Sequence, residues 1–121
     1  MQIQGENELI FEINANDFTA KVIKSNSESD TIIIPRSINY KSHNYIITVI
    51  EADAFKKSQF IKMVKFAENS SILVINDDAF TESSLESISI PSSVITIGEN
   101  AFSCCDNLEI VCIPKDSKLN K

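Results

Sequence analysis

The chain has 121 residues, a formal net charge of −6, 43% hydrophobic residues, two glycines, three prolines, three cysteines and one histidine. That length holds one folded unit with a modest continuous core, and so few glycines and prolines leave no flexible linker. The negative balance excludes nucleic acid as a natural partner, because its phosphates would be repelled, and no apolar run is long enough to insert in a membrane as a helix.

In chain order, the opening MQIQGENELIFEIN has neither a basic n-region nor an apolar core of about 7–15 residues, so the expected address is cytoplasmic. Leu9–Ile13 and Thr19–Ile23 are short strand-like runs joined by the turn-rich Asn14-Ala15-Asn16-Asp17. They predict a β-hairpin. Ser25–Asp30 follows as a polar loop, and Ile32-Ile33-Ile34-Pro35 is an apolar run closed by proline. Asn39–Asn44 reads as an insertion ahead of a second β-branched run, Ile46–Ile50.

From there the chain repeats itself. Ile, two variable residues, Asp or Asn, then Ala-Phe occurs at Ile50–Phe55, Ile75–Phe80 and Ile97–Phe102, with the phenylalanines 25 and 22 residues apart. After each Ala-Phe comes an apolar triplet at steps of three and two: Ile61, Val64 and Phe66; Leu85, Ile88 and Ile90; Leu108, Val111 and Ile113. Pro91 and Pro114 close two of these runs, with Ala67 at that place in the other, and β-branched runs Ile72–Ile75 and Val94–Ile97 precede the later Ala-Phe pairs. A period of about 20–29 residues is that of a leucine-rich-repeat solenoid, in which each unit buries its apolar face only against its neighbours.

Residues two apart, such as Ile88 and Ile90, share one face of a strand, and proline ends the run because it has no ladder donor. Asp53, Asp78 and Asn100 suit the N-cap of a short helical turn, Ala lets that turn approach its neighbour, and Phe supplies the buried ring. Stacked, the three phenylalanines should form one core column, each nearly fully buried. The same alignment places Lys62, Glu86 and Glu109 in one row.

The segment LESISIPSSVITIGENAFSCCDNLEIVCIP, Leu85 to Pro114, resembles the BspA-like branch of leucine-rich repeats: a strand ending in Ile-Pro, then Ser-Val-Thr-x-Ile-Gly, Ala-Phe, and Cys three residues on, here Cys105. The resemblance covers about Ile32 to Pro114. Ser58 and Ser83 replace the cysteine in the other copies, and Gly98 is the only copy of the glycine, with Glu51 and Asn76 elsewhere. It implies an α/β solenoid of stacked short strands with one helical turn per repeat, strand-dominated. Residues 1–31 would be the N-terminal hairpin cap and polar loop, and residues 32–121 the repeats.

Chemistry is thin along this chain. Cys104, Cys105 and Cys112 lack C-x2-C spacing, so neither a metal site nor a disulfide framework follows. Cys105 reads as structural and Cys112 as the outward side of a strand; an odd, unpatterned set suits a reducing compartment. His43 sits in the insertion with no nucleophile in reach, Asp77 and Asp78 are adjacent and diverge, and no glycine-rich phosphate loop exists. The expectation is a non-enzyme without cofactor, metal or catalytic residues.

The expected function is protein binding, as an intracellular scaffold or structural component in a larger assembly. The outward strand residues Ile33, Lys65, Ser89 and Cys112, with Met63, Ser87 and Ile110 beside them, are the candidate partner-binding row. The family resemblance supplies the alternative, a cell-surface adhesin that reaches the surface without a recognisable signal peptide. Only Lys115–Lys121 follows the last strand, so the C-terminal repeat is a candidate for self-association through an open edge.

Overall fold

The computed structural model describes residues 1–5 and 8–119. Among them eleven strands form two sheets: β1 (Gln2–Gln4), β2 (Leu9–Asn14), β3 (Thr19–Ser25), β4 (Thr31–Ile34), β5 (Ser37–Tyr40), β6 (His43–Ile50), β7 (Met63–Phe66), β8 (Val74–Ile75), β9 (Ser87–Ser89), β10 (Thr96–Ile97) and β11 (Ile110–Cys112). Strands β4, β7, β9 and β11 stack in parallel as one sheet, here the front sheet. Strands β6, β8 and β10 stack in parallel as the back sheet, which β3, β2 and β1 extend at the N-terminal side. The chain therefore winds as a solenoid of about four coils, front strand, back strand and turn.

The hairpin is where its alternation placed it. Leu9, Phe11, Ile13, Ala20 and Val22 point into the core, while Glu12, Asn14 and Lys21 face water. Strands β2 and β3 pair antiparallel, and β3 joins β6 in parallel, so the hairpin covers the first coil's apolar end. The insertion at Asn39–Asn44 is a second hairpin: β5 pairs β6 across Lys41-Ser42, both at positive φ (48° and 68°), the backbone that a two-residue hairpin turn needs. His43 accordingly opens a strand instead of lying in a loop, and its exposed ring sits 5.3 Å from that of Phe18.

The core is the repeat pattern made physical. Ile61 and Val64, Leu85, Ile88 and Ile90, with Ile50, Ile72, Ile75 and Val94 from the back strands, are at most 2% exposed. The register also matches the expected row, since Glu86 N–H donates to the Lys62 carbonyl (2.7 Å) and Glu109 N–H to that of Glu86 (2.9 Å).

The helical turn expected in each repeat is absent: no helix occurs among the described residues, and the fold is strand and turn throughout. Asp53, Asp78 and Asn100 are not N-caps, for their φ values are 63°, 58° and 59°. An N-cap residue has β-region dihedrals, whereas Asp and Asn are among the side chains that tolerate the left-handed region. That conformation turns their N–H groups toward the next coil. Asp53, Phe55 and Lys57 donate to Asp77, Ala79 and Thr81, while Ala54, Lys56 and Ser58 donate back to Glu51, Asp53 and Phe55 within the turn. A helical turn would aim its N–H groups along its own axis, whereas this turn presents alternate ones sideways to the next coil.

Phe55, Phe80 and Phe102 do stack, with centroids 4.9 and 5.4 Å apart and planes 2° and 5° from parallel. Phe55 and Phe80 are buried, but Phe102 is only half-buried, because among the described residues no coil lies beyond it. The polar tail expected from Lys115 to Lys121 repeats one turn, Ser117 N–H to Pro114 carbonyl (3.1 Å), and lays Leu119 partly against the core; residues 120 and 121 lie outside the described residues.

Candidate functional site

The outer face of the front sheet carries all seven residues singled out by the alternation. Pairing sets Ile33 beside Lys65, Met63 beside Ser87, Ser87 beside Ile110, and Ser89 beside Cys112. Ile33 and Ile110 are each 53% exposed; Met63, Lys65, Ser89 and Cys112 are exposed as well, and Ser87 is half-buried. Isolated exposed apolar residues are ordinary, but Ile33, Met63 and Ile110 share one face.

A groove of about 500 Å³ lies across this face, with Met63, Lys65, Ser87, Ser89 and Ile110 among its lining residues. Ile33 and Cys112 lie outside it. The groove has a cause in the sequence: β4 and β7 pair over four residues, but β7 and β9 over only Met63–Ser87 and Val64–Ile88. Where the Ala67 N–H reaches back to the Ile34 carbonyl (3.0 Å), the next coil has Pro91, which has no N–H to give. The ladder, already ended at Val64–Ile88, cannot resume there. Phe66, Ala67 and Glu68 then form one wall, and Ile90, Pro91 and Ser92 the other. Reading the proline only as a strand terminator missed this wall.

The back sheet presents a second set that the alternation also contains but that was not singled out. Leu73 and Ile95 are 43% and 42% exposed and lie in one row, joined by the Ile95 N–H to Leu73 carbonyl bond (2.8 Å). Each directly precedes a back-sheet strand, which was the available signal.

The other reactive side chains have structural partners or none. Cys105 is half-buried; its thiol donates to the Phe80 carbonyl and lies 3.6 Å from Ser83 Oγ, the residue at the same place one coil earlier. Cys104 and Cys112 are exposed, and all three thiols are free. Asp77 Oδ1 accepts the Glu99 N–H of the next coil (2.8 Å) and Asp78 Oδ1 the Thr81 hydroxyl within its own turn (3.1 Å), so both carboxylates have structural partners. Among the described residues no group of three or more His, Cys, Asp or Glu is arranged to hold a metal ion. No helix among them is long and apolar enough to cross a membrane.

Among the described residues one carboxylate is held away from its ordinary protonation behaviour. Glu51, half-buried where the hairpin meets the first coil, is raised by desolvation; the Ala52 N–H, the Asn76 amide and Lys21 outweigh that and leave its pKa lowered. The Asn76 amide is 2.5 Å and the Lys21 ammonium 3.5 Å from its oxygens. These are the contacts of a coil-to-coil brace.

Comparison with known proteins agrees with this geometry. The family model described as BspA type leucine rich repeat region (6 copies) matches residues 36–121. A leucine-rich repeat protein from Bacteroides capillosus is 25% identical, with a TM-score of 0.61, over 93% of this chain and 98% of that one. The pneumococcal vaccine antigen PcpA has a TM-score of 0.67 at 20% identity over 99% of this chain, which spans 40% of the antigen. A leucine rich cell surface protein from Faecalibacterium prausnitzii gives 0.53 at 18% identity, over 97% of this chain and 44% of that one. No curated protein sequence matches.

Proposed function

Because the chain belongs to the BspA-type leucine-rich repeat family, we propose that it is a non-catalytic protein-binding module whose contact surface is the front sheet. The observation that carries this is the groove between β7 and β9, lined by exposed Met63, Lys65 and Ile110, with exposed Ile33 on the same face. Apolar side chains around a shallow, partly polar furrow suit another protein's surface, which buries apolar area while a few polar groups set register. The contact residues are Ile33, Met63, Lys65, Ser87, Ser89, Ile110 and Cys112.

Two settings fit such a module. Exposed free thiols at Cys104 and Cys112 favour a reducing compartment and a scaffold docked into a larger assembly. The cell surface is the second setting; two proteins of the same fold are described as a vaccine antigen and a cell surface protein. Detection on unpermeabilised cells, set against recovery in a native intracellular complex, separates them.

The contact surface is tested by placing a photo-crosslinking residue at Ser89 on the front sheet or at Ile95 on the back. Crosslinks to one partner from position 89, absent from position 95 and lost in Ile33→Asp/Ile110→Asp with unchanged melting, are the expected result. Equal crosslinking from both positions refutes the assignment.

A further inference from the structure

The column of Ala-Phe turns has a direction. The N–H groups of Asp53, Phe55 and Lys57 donate to the carbonyls of Asp77, Ala79 and Thr81 (3.4, 2.7 and 2.9 Å). Those of Asp78, Phe80 and Glu82 donate to Glu99, Ala101 and Ser103 (3.1, 2.8 and 2.9 Å). Every rung runs the same way, from the earlier coil to the later one. The two ends of the column are therefore complementary. At the last turn the N–H groups of Asn100, Phe102 and Cys104 have no acceptor among the described residues, and at the first turn the carbonyls of Ala52, Ala54 and Lys56 have no donor among them.

Charge has the same polarity. Asp53 to Lys62 contains three lysines and one aspartate, a net +2, whereas the equivalent stretch Glu99 to Glu109 contains three acids and no base, a net −3. Lys56, Lys57, Glu99 and Asp106 are all exposed. The basic end opens on a groove of about 440 Å³ between residues 23–28 and residues 53–60, so the first turn is accessible from outside.

We propose that these two ends are halves of one interface, and that the last turn of one copy docks head to tail on the first turn of a second copy. Three N–H donors then meet three carbonyls at the spacing the column already uses, and the opposite charges face each other. A pairing of two last turns would set donor against donor and −3 against −3. The hairpin closes the core beside the column, so docking engages the turns and not the whole cross-section of a coil. Head-to-tail contact is not two-fold, so association passes beyond a dimer, as an open string or a ring of several copies. This interface is separate from the front-sheet surface and stands whether or not that surface binds a partner.

Sedimentation of the purified chain tests it with two variants, Glu99→Lys/Asp106→Lys and Lys56→Glu/Lys57→Glu, each checked by circular dichroism for an unchanged fold. The wild-type chain should gain mass continuously with concentration, with no plateau at a dimer, and added salt should reduce that gain. Each variant alone should be monomeric, because its two ends now carry the same sign. An equimolar mixture should associate again, since the reversed end of one variant matches the reversed end of the other. A monomeric wild type at high micromolar concentration, a closed dimer, or variants that associate alone as the wild type does would each overturn the interface.

Discussion

The solenoid ends differently at its two extremities. At the N-terminal end the hairpin lays Leu9 and Phe11 over the first coil, each 1% exposed; at the C-terminal end Val111 and Ile113 are 43% and 49% exposed. Yet Val111 and Ile113 occupy the repeat positions that Ile88 and Ile90 fill one coil earlier at 2% exposure. The residue types are equivalent, so burial in this fold belongs to the neighbouring coil and not to the residue. Stability should therefore be graded along the stack, highest where a coil is covered on both sides.

The largest effect expected from this gradient is in the phenylalanine column. Phe80→Ala should cost about 3–5 kcal/mol, the range for deleting a buried aromatic side chain, and Phe102→Ala about half of that or less, because its ring is already partly in water. Urea unfolding of the two variants measures the difference. Equal losses would mean that the last coil is as firmly packed as the middle one.

Gly98→Ala sharpens the comparison from the open side. A Cβ there would strike the Asp77 carboxylate and stand 2.5 Å from the Asp77 backbone nitrogen, so the third coil could not lie against the second as it does. The cost should be about 1–3 kcal/mol, as for other overpacked sites. Hydrogen exchange should show the loss concentrated after β9. Uniform loss across the chain would count against a graded stack.

The smallest effect is at the capped end. Glu51 is lowered in the folded state, so its stabilisation is fully present above its ordinary value near 4.5 and fades as the pH falls through the lowered one. Glu51→Gln should remove that acid-side dependence and cost about 0–1 kcal/mol at neutral pH, the scale of a partly exposed ion pair. Melting curves of the two proteins between neutral and acid pH should converge on the acid side; parallel curves would show that Glu51 does not bridge hairpin and coil.

Much of the architecture was legible residue by residue. Ile88 and Ile90 with Ser87 and Ser89 between them announce a strand with one wet face, and the in-phase recurrence of Ala-Phe announces stacking. The turn was misjudged for a definite reason. A side chain that can cap a helix, Asp or Asn, is also one that tolerates positive φ, and local sequence does not separate the two. The choice was made by the neighbouring coil, which offers carbonyls only to a turn that leaves its N–H groups free.

The candidate surface divides in the same way. Alternation alone placed Ile33, Met63, Lys65, Ser87, Ser89, Ile110 and Cys112 on one outer face, because side chains in a strand point alternately to its two sides. The groove needed the stack, since Pro91 keeps a ladder from resuming only where a neighbouring strand is present to lose its partner. The sequence by itself determined which residues recur and hence which share a face, periodicity being a property of one chain. Tertiary structure decided how deeply each is buried, where a pocket opens and which hydrogen-bonding groups remain free, because each of these depends on whether another coil lies within about 4.8 Å.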